Sequence, residues 1–391
     1  MNRSTSTSTS TIRNWNIVVA PDSYKGSLSS FEVAAAMELG IRRVIPTANI
    51  IKIPIADGGE GTVDAILASL GGKRYEVEVL GPLGESITAQ YGVLQDGFTA
   101  VLEMASASGL PLLPLSKRNP WKATTFGTGQ MMKHAIQSGC RRIWIGIGGS
   151  ATNDGGMGMA QALGVRFLNA DGNVLGIGAD QLEHIDQIDC SGMDPRWVDV
   201  ELIICSDVTN PLCGSKGASV VFGPQKGANP DMVIRLDQGL THYAERIHTC
   251  LGKEVQDIQG VGAAGGLGAG LLAFCGGRIV PGIQFMMELV GMEEAIRHAD
   301  LVITGEGRVD EQTSFGKVPS GIGQIAQKVG VPVVCLSGSI GNGVENLYEH
   351  GITAMFSVMN SPMTLDDALN NAGTLISLAM ENVIRLFVRS Q

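Results

Sequence analysis

The sequence predicts an α/β protein, in which a Rossmann-like parallel-sheet domain carries an inserted, mixed α/β domain with a cleft between the two. Three observations predict this class. Short apolar runs alternate with amphipathic helical patterns at both ends of the chain, hairpin-like alternation interrupts them in the middle, and glycine-rich polar segments follow several apolar runs. Short uninterrupted apolar runs are typical of strands that a parallel sheet buries on both faces.

The N-terminal elements predict two β-α units in succession. Residues 16–20 form the first apolar run, and a helix begins after Ser29, where Glu32 completes an S-x-x-E capping box. A second strand is expected at residues 50–55 and a second helix at 62–70. Successive units of this kind predict right-handed crossovers and a parallel sheet.

The middle of the chain follows a different pattern. Residues 75–79 and 87–93 alternate apolar with polar residues around a Gly-Pro-Leu-Gly turn, which predicts an antiparallel hairpin. Further strands are expected at 99–104, near 143 and at 202–206, with a helix at 128–137. From about residue 292 the simple alternation returns: helices to 298, at 320–329 and at 365–388, and strands at 301–304, 332–336 and 354–358.

These patterns predict a discontinuous domain organisation. The Rossmann-like domain is expected to combine residues 15–74 with 286–391, and the inserted domain to span residues 75–285. Residues 1–14 are rich in serine and threonine and are predicted to be a disordered tail. The expected cleft would be the usual place for a small-molecule site.

Composition narrows the possible partners. The chain has 44% hydrophobic residues and a formal net charge of −10, which argues against nucleic acid and anionic membranes as partners. Seven scattered cysteines include no C-x-x-C pair, so zinc and thioredoxin-type sites are not expected. Neither a signal peptide nor an apolar run of membrane-spanning length is evident. We therefore predict a cytoplasmic protein that binds neither nucleic acid nor membrane.

The most informative segment is the glycine-rich loop at residues 148–156, which follows an apolar run. Glycines allow backbone N–H groups to approach a ligand, and successive N–H groups form anion-binding concavities. Hydroxyl, amide and carboxylate groups accompany them, so a phosphate cradle is one interpretation. The alternative is a strand-to-helix turn in which glycine serves only tight packing. The candidate residues of this loop are Gly148, Gly149, Ser150, Thr152, Asn153 and Asp154.

Polar loops also follow the predicted strands of the Rossmann-like domain. The carboxyl ends of parallel strands meet at one sheet edge, where ligands bind. Phosphoryl transfer requires cations near the phosphates, a magnesium ion and a group that orients the attacking hydroxyl. Lys25 and Arg308 supply positive charge, whereas Asp57, Glu60, Glu306 and Asp310 are candidates for magnesium or the base. As alternatives, Glu60 caps the next helix, and Arg308 and Asp310 form only a structural ion pair.

Three further segments carry possible site residues. Residues 205–211 place Asp207 and Asn210 after a strand, and Lys226 lies between glycines in residues 222–228, as a phosphate contact or an exposed turn. Residues 260–265 fit G-x-G-x-x-G, but no convincing strand precedes them, as the dinucleotide fingerprint requires. Helix packing or nucleotide binding is favoured there over NAD binding.

Six segments together resemble the bacterial type 1 glycerate kinases. They are residues 20–25, 56–62, 148–156, 207–212, 222–228 and 304–308. The resemblance implies a Rossmann-like domain, a second α/β domain and a cleft between them. It also implies magnesium-requiring transfer of the γ-phosphoryl group of ATP to D-glycerate, usually giving 2-phosphoglycerate.

Motif position and chemistry assign roles within these segments. The catalytic candidates are Lys25, Asp57, Asp154 and Arg308, and the metal candidate is Asp310. The remaining substrate- or nucleotide-binding candidates are Asp22, Ser23, Gly58, Gly59, Glu60, Gly148, Gly149, Ser150, Thr152, Asn153, Asp207, Asn210, Lys226, Gly305 and Glu306. The alternatives are a kinase giving 3-phosphoglycerate, a dinucleotide-dependent dehydrogenase and a non-catalytic metabolite sensor. The sequence leaves undecided whether the protein is a monomer or a homo-oligomer.

Overall fold

The computed structural model describes residues 14–55, 61–314 and 316–390. It divides into two compact units. The first unit contains the chain up to Pro54 and again from Gly291, and the second unit contains Ile55–Val290. The α/β class, with one parallel sheet and a second mixed sheet, is as the sequence predicts.

The described residues form fifteen strands and fourteen α-helices. The strands are β1 (Asn16–Pro21), β2 (Asn49–Lys52), β3 (Gly72–Leu80), β4 (Ser86–Leu94), β5 (Thr99–Glu103), β6 (Arg142–Gly146), β7 (Arg166–Leu168), β8 (Gln187–Asp189), β9 (Glu201–Cys205), β10 (Arg278–Val280), β11 (Leu301–Gly305), β12 (Arg308–Val309), β13 (Val333–Ser337), β14 (Ser339–Ile340) and β15 (Ala354–Ser357). The helices are α1 (Ser30–Arg42), α2 (Thr62–Leu70), α3 (Ala105–Ser108), α4 (Phe126–Gln137), α5 (Met157–Ala162), α6 (Ala218–Phe222), α7 (Pro230–Leu251), α8 (Ala263–Cys275), α9 (Gly282–Leu289), α10 (Met292–Arg297), α11 (Val318–Val329), α12 (Asn346–Glu349), α13 (Leu365–Asn370) and α14 (Ala372–Ser390).

The first unit is built on a five-stranded sheet in the order β15-β13-β11-β1-β2, and every pair is parallel. Strand β2 lies on one side of β1 in the sheet, and β11, which follows much later in the chain, lies on the other side of β1. The strand order therefore reverses between β1 and β11. In doubly wound sheets this switch point is where ligands bind, beyond the carboxyl ends of the strands.

Helices α1 and α14 pack together in the first unit. The predicted capping box starts α1: the Ser29 hydroxyl accepts a hydrogen bond from the Glu32 N–H at 3.3 Å, and the Glu32 carboxylate accepts one from the Ser29 N–H at 2.8 Å. A Cβ at Gly40 would lie 2.4 Å from the Ser377 carbonyl oxygen, so glycine permits the close approach of the two helices. Val33, Met37 and Ile376 are among the residues that fill the core beneath them.

The second unit is built on a six-stranded sheet in the order β10-β9-β6-β5-β4-β3. The predicted hairpin is confirmed, because β3 and β4 are antiparallel with Tyr75 opposite Tyr91. Strands β5, β6, β9 and β10 are parallel to one another. Ile143 and Ile145 enter the larger core of this unit and Trp144 enters a smaller one, so burial on both faces explains the unbroken apolar run.

The expected domain boundaries need correction. Helix α2 was expected in the Rossmann-like domain that ends at residue 74, yet it packs on β4 and β5 and shares a core with Val101 and Trp144. The units divide at residues 54/55 and 290/291 instead. The expected helix 365–388 is two helices, α13 and α14. The predicted tail lies, up to residue 13, outside the described residues.

The G-x-G-x-x-G segment forms the start of a helix. It leads into α8, whose first turn contains three residues with positive φ, Ala264, Gly265 and Gly266. Among the described residues it follows α7 and a connecting loop rather than a strand. This placement supports helix packing and not a dinucleotide fingerprint. No described helix has the length and apolar character needed to cross a membrane.

Candidate active site

The first group of candidate residues lies at the switch point of the first unit. Asp22 follows β1, and its N–H donates to the Gly305 carbonyl at 2.8 Å, so the ends of β1 and β11 are joined. Asp22 is buried, and its carboxylate accepts a hydrogen bond from the Ser23 N–H at 2.6 Å. A Cβ on Gly305 would lie 1.8 Å from the Leu336 carbonyl oxygen of β13. Glycine is therefore required there by strand packing.

Glu306 is a buried carboxylate at the same switch point. It accepts a hydrogen bond from the Thr313 hydroxyl at 2.7 Å and lies 3.2 Å from the Lys317 ammonium. Burial raises the pKa of the Glu306 carboxyl, while the charges of Lys317 and Lys25 act in the opposite direction. A carboxylate with a raised pKa at a switch point has the character of a general base.

Lys25 and Arg308 are both exposed, as a role in gripping an anion requires. The Arg308 side chain is 69% exposed, and its Nε lies 3.2 Å from the Asp310 carboxylate. Asp310 also accepts a hydrogen bond from the Gln312 N–H at 3.1 Å. Strand β12 pairs Arg308 with Ser339 of β14, which joins the loops that follow β11 and β13. The ion pair that the sequence offered as an alternative thus exists and leaves Arg308 accessible.

The glycine-rich loop of the second unit follows β6. Gly148 and Gly149 are exposed, whereas the chain from Ser150 to Asp154 is buried. Its glycines lie in two different surroundings. Gly149 adopts a φ of +73° in the exposed part, whereas a Cβ on Gly155 would lie 2.5 Å from the Tyr243 ring. The first part of the loop is therefore open to a ligand and the second part is packed.

The buried part of the loop is held by internal hydrogen bonds. The Thr152 hydroxyl donates to the Ala264 carbonyl at 3.4 Å, and the Asn153 amide donates to the Ser219 hydroxyl at 2.9 Å. Neither Thr152 nor Asn153 has exposed surface in this structure. Both residues shape the loop in this structure, and their expected contacts with a ligand stay predictions.

Asp154 is likewise enclosed. Its carboxylate accepts hydrogen bonds from the N–H and hydroxyl groups of Thr125, both within 2.9 Å, and from the N–H groups of Gly156 and Gly158 at 3.2 and 3.3 Å. Burial raises its pKa, and these donors oppose the shift. The residue has no exposed surface in this structure, and its expected catalytic role stays a prediction.

Lys226 is buried, so it does not form the exposed turn that the sequence offered as one alternative, and its role as a phosphate contact stays a prediction. Its side chain is 2% exposed, and its Nζ lies 2.7 Å from both the Ser150 hydroxyl oxygen and the Thr152 carbonyl oxygen. Burial lowers the pKa of Lys226 to about 7, and the charge of Asp154 acts against that shift. Lys226 thus contacts the buried part of the glycine-rich loop from inside the second unit.

Two predicted residues follow β9 in the second unit. Asp207 is exposed and accepts a weak hydrogen bond, at 3.4 Å, from the Ile283 N–H at the start of α9. Asn210 donates from its amide to the Lys216 carbonyl at 2.8 Å, and its own carbonyl accepts from the Gly262 N–H at 3.0 Å. Asn210 therefore fixes the loop, while Asp207 stays accessible at the sheet edge.

Glu103 is a polar residue at this edge that the sequence analysis did not single out. It ends β5 beside Gly146 of β6, and its carboxylate accepts a hydrogen bond from the Val63 N–H at 2.7 Å, at the start of α2. A single glutamate at the end of an apolar run gives no distinctive signal. Asp57, Gly58, Gly59 and Glu60 lie outside the described residues.

The described residues contain no group of three or more His, Cys, Asp or Glu side chains arranged to hold a metal ion. Magnesium commonly uses only one or two carboxylates together with phosphate oxygens and water. Asp310 and Asp207 retain partly or fully exposed carboxylates that suit this kind of coordination.

Comparison with known proteins identifies the family. The Glycerate kinase family matches residues 17–388. A glycerate kinase of Halalkalibacterium halodurans is 50% identical over 367 residues, covering 94% of this chain and 97% of that protein. The glycerate 2-kinase of Escherichia coli K12 is 49% identical over 367 residues, covering 94% and 96%. A crystal structure from Salmonella typhimurium LT2, assigned as glycerate kinase 2, superposes with a TM-score of 0.85 at 48% identity, covering 97% of this chain and 100% of that one.

The structure has a doubly wound sheet with basic and acidic side chains at its switch point. Relatives that match nearly the whole chain are named as kinases, so the chain is a phosphotransferase that acts on an alcohol group. With a family match over nearly the whole chain, the assignment becomes specific. The chain belongs to the glycerate kinase family.

Proposed function

We propose that this enzyme transfers the γ-phosphoryl group of ATP to the 2-hydroxyl group of D-glycerate, giving 2-phosphoglycerate and ADP. The observation that carries the proposal is the 49% identity, over 94% of the chain, to the Escherichia coli protein named glycerate 2-kinase. All seven cysteines are free thiols, which suits a reducing compartment such as the cytoplasm, the location we propose.

In the proposed reaction, a bond forms between the glycerate hydroxyl oxygen and the γ-phosphorus atom, and the bond from that phosphorus to the β–γ bridging oxygen breaks. The hydroxyl proton passes to a base, for which we propose Glu306. Its raised pKa, its burial and its place at the switch point support this role. Lys317, 3.2 Å away, keeps the carboxylate ionised and oriented.

The exposed cations of the first unit are proposed to bind the anionic groups of the substrates. Arg308 presents a guanidinium fork that is suited to a carboxylate or a phosphoryl group, and Lys25 presents a point charge. Magnesium enters with ATP as the Mg·ATP substrate, and we propose that Asp310 contributes a carboxylate oxygen to it. Because Asp310 is paired with Arg308 at 3.2 Å, magnesium binding would free the guanidinium for the substrate.

A coupled assay tests the proposed substrates. Purified protein with Mg·ATP should release ADP in the presence of D-glycerate, and much more slowly with L-glycerate or without an acceptor. The same assay without magnesium should lose nearly all ADP release. ADP release that is equal with and without D-glycerate would contradict the proposal and indicate a simple ATPase.

A further inference from the structure

The glycine-rich loop has a cation enclosed behind its open end. Gly148 and Gly149 are exposed, Ser150 is 8% exposed and Lys226 is 2% exposed, so accessibility falls along the path from solvent to the lysine. The Lys226 Nζ lies 2.7 Å from the Ser150 hydroxyl oxygen. Ser150 is thus the only hydroxyl among the described residues that both contacts Lys226 and adjoins the exposed glycines.

The hydrogen bonds around Lys226 suit a neutral amine in the ligand-free protein. Within the described residues its Nζ has two acceptors, the Ser150 hydroxyl oxygen and the Thr152 carbonyl oxygen, each at 2.7 Å. A neutral amine has two N–H groups, which these acceptors satisfy, whereas an ammonium group has three. A buried ammonium group with an unused donor is costly unless further negative charge lies close to it.

The charged and titratable groups around Lys226 come from several elements. Asp154 of the loop is the negative charge that acts on it. Tyr243 of α7 lies against Gly155 and has its pKa raised by burial, so it stays neutral. The Arg118 backbone packs on Gly227, and its guanidinium group reaches the Gln225 carbonyl at 3.5 Å. Burial thus outweighs the effect of the Asp154 charge on Lys226.

We propose that the Ser150 hydroxyl group binds an oxyanion of the substrates, and that Lys226 is its positioning residue, taking up a proton from solution when the oxyanion binds. While Lys226 donates to the Ser150 oxygen, the Ser150 hydrogen is free to point toward the ligand. The bound negative charge then stabilises the ammonium form of Lys226, from which it is separated by the Ser150 hydroxyl group. This inference rests on the proposed function, since the oxyanion is either the D-glycerate carboxylate or a phosphate group of the nucleotide.

The affinity for the oxyanion is expected to depend on pH through Lys226. Lys226 has a pKa of about 7 in the free protein, and a bound anion raises it. Above that pKa, binding therefore takes up a proton, and the affinity falls as the pH rises, by up to about tenfold per pH unit. Well below pH 7 the lysine is already charged in both states, so binding takes up no proton through it.

Isothermal titration calorimetry in two buffers of different ionisation enthalpy measures this uptake. D-glycerate alone and ADP alone are titrated in separate arms, near pH 7.5 and near pH 5.5. For one of the two ligands, we expect binding at the higher pH to be accompanied by the uptake of about 0.5 proton or more per protein. At the lower pH, binding of the same ligand should cause much less uptake through Lys226. The ligand that causes this uptake at the higher pH identifies the oxyanion.

Variants separate the positioning role from a structural one. Lys226→Met should abolish the extra uptake and weaken binding of that ligand by roughly 10- to 100-fold. Ser150→Ala should reduce both quantities while Lys226 remains in place. Lys133→Met, an exposed lysine on α4, is the matched control and should behave as the wild type. Circular dichroism and thermal melting establish that each variant is folded; if Lys226→Met is not, the wild-type and Ser150→Ala titrations decide.

Two results would overturn the inference: no pH-dependent proton uptake with either ligand, or equal uptake in the wild type and in folded Lys226→Met or Ser150→Ala. Neither result depends on turnover. If 2-phosphoglycerate forms without such uptake, this inference is wrong and the proposed function stands. If uptake is found but D-glycerate is not phosphorylated, the oxyanion site stands and the proposed function is wrong.

Discussion

At the residue scale, three buried charged side chains have shifted pKa values. Glu306 of the first unit and Asp154 of the second have pKa values that burial raises, and Lys226 has one that burial lowers. The two carboxylates, Glu306 and Asp154, have different hydrogen-bond partners. Glu306 contacts side chains that surround a switch point, whereas Asp154 accepts four hydrogen bonds from within the fold. We therefore separate a proposed catalytic carboxylate from a structural one.

Replacing Glu306 by Gln tests the proposed base. The amide retains the shape and a contact with Thr313 but cannot accept a proton, so kcat should fall by about 10²- to 10⁴-fold with the fold intact. In the wild type, kcat should decline as the pH falls through the raised pKa of Glu306, and the variant should lack that decline. Steady-state kinetics between acid and neutral pH measures both. A kcat close to that of the wild type would exclude Glu306 as the base.

Lys226 should make the stability of the ligand-free protein depend on pH. Its pKa of about 7 in the folded state lies below that of an unfolded lysine, so the unfolded state binds more protons between the two values. The free energy of unfolding should therefore rise with pH above 7, by up to about 1.4 kcal/mol per unit. Urea unfolding of the wild type and Lys226→Met from pH 6.5 to 8.5 measures the difference. If the free energy of unfolding changed with pH in the same way in both proteins, the lowered pKa of Lys226 would be contradicted.

Asp154 is expected to serve stability rather than direct catalysis. Asp154→Asn places an amide donor against the donors of Thr125, Gly156 and Gly158, so it should lower the free energy of unfolding by about 2–4 kcal/mol. Asp171→Asn, at an exposed position, is the control and should change it little. Urea unfolding measures both. A variant of wild-type stability that has lost activity would contradict this expectation and support the catalytic role of Asp154.

At the scale of elements, local signals predicted some features and long-range packing decided others. The capping box of α1 and the β3–β4 hairpin are encoded by neighbouring residues, and both were predicted. Helix α8 was not, because its glycine-rich sequence disfavours a helix and no local signal outweighs this. The reason for its glycines lies far away in sequence: a Cβ on Gly265 would lie 2.0 Å from the Thr152 carbonyl oxygen.

Gly265→Ala tests this contact between α8 and the glycine-rich loop. The position combines a φ of +66° with the close Thr152 oxygen, so we expect a loss of stability above about 3 kcal/mol or a displaced loop. Gly276→Ala at the end of the same helix has a similar φ, +65°, with nothing within 4 Å of a Cβ. It should cost only about 1–2 kcal/mol. Equal costs in urea unfolding would show that the loop contact is unimportant.

At the scale of the whole molecule, the alternation of apolar runs and helices predicted the α/β class and the polar ends of the strands. Asp22 and Glu306 follow adjacent strands, as expected from the parallel arrangement. The strand order and the place of α2 could not be predicted, because they depend on which surfaces pack together and not on local sequence. For the same reason, the burial of Lys226 and Asp154 could not be predicted from the sequence.

The most direct test of the whole account is phosphorus NMR of a reaction that contains the purified protein, D-glycerate, ATP and magnesium. The account predicts that the γ-phosphate signal of ATP decreases while signals of ADP and 2-phosphoglycerate appear together. A 3-phosphoglycerate signal in place of 2-phosphoglycerate would contradict the proposed acceptor hydroxyl. Unchanged ATP with folded protein would contradict the phosphorylation of D-glycerate itself.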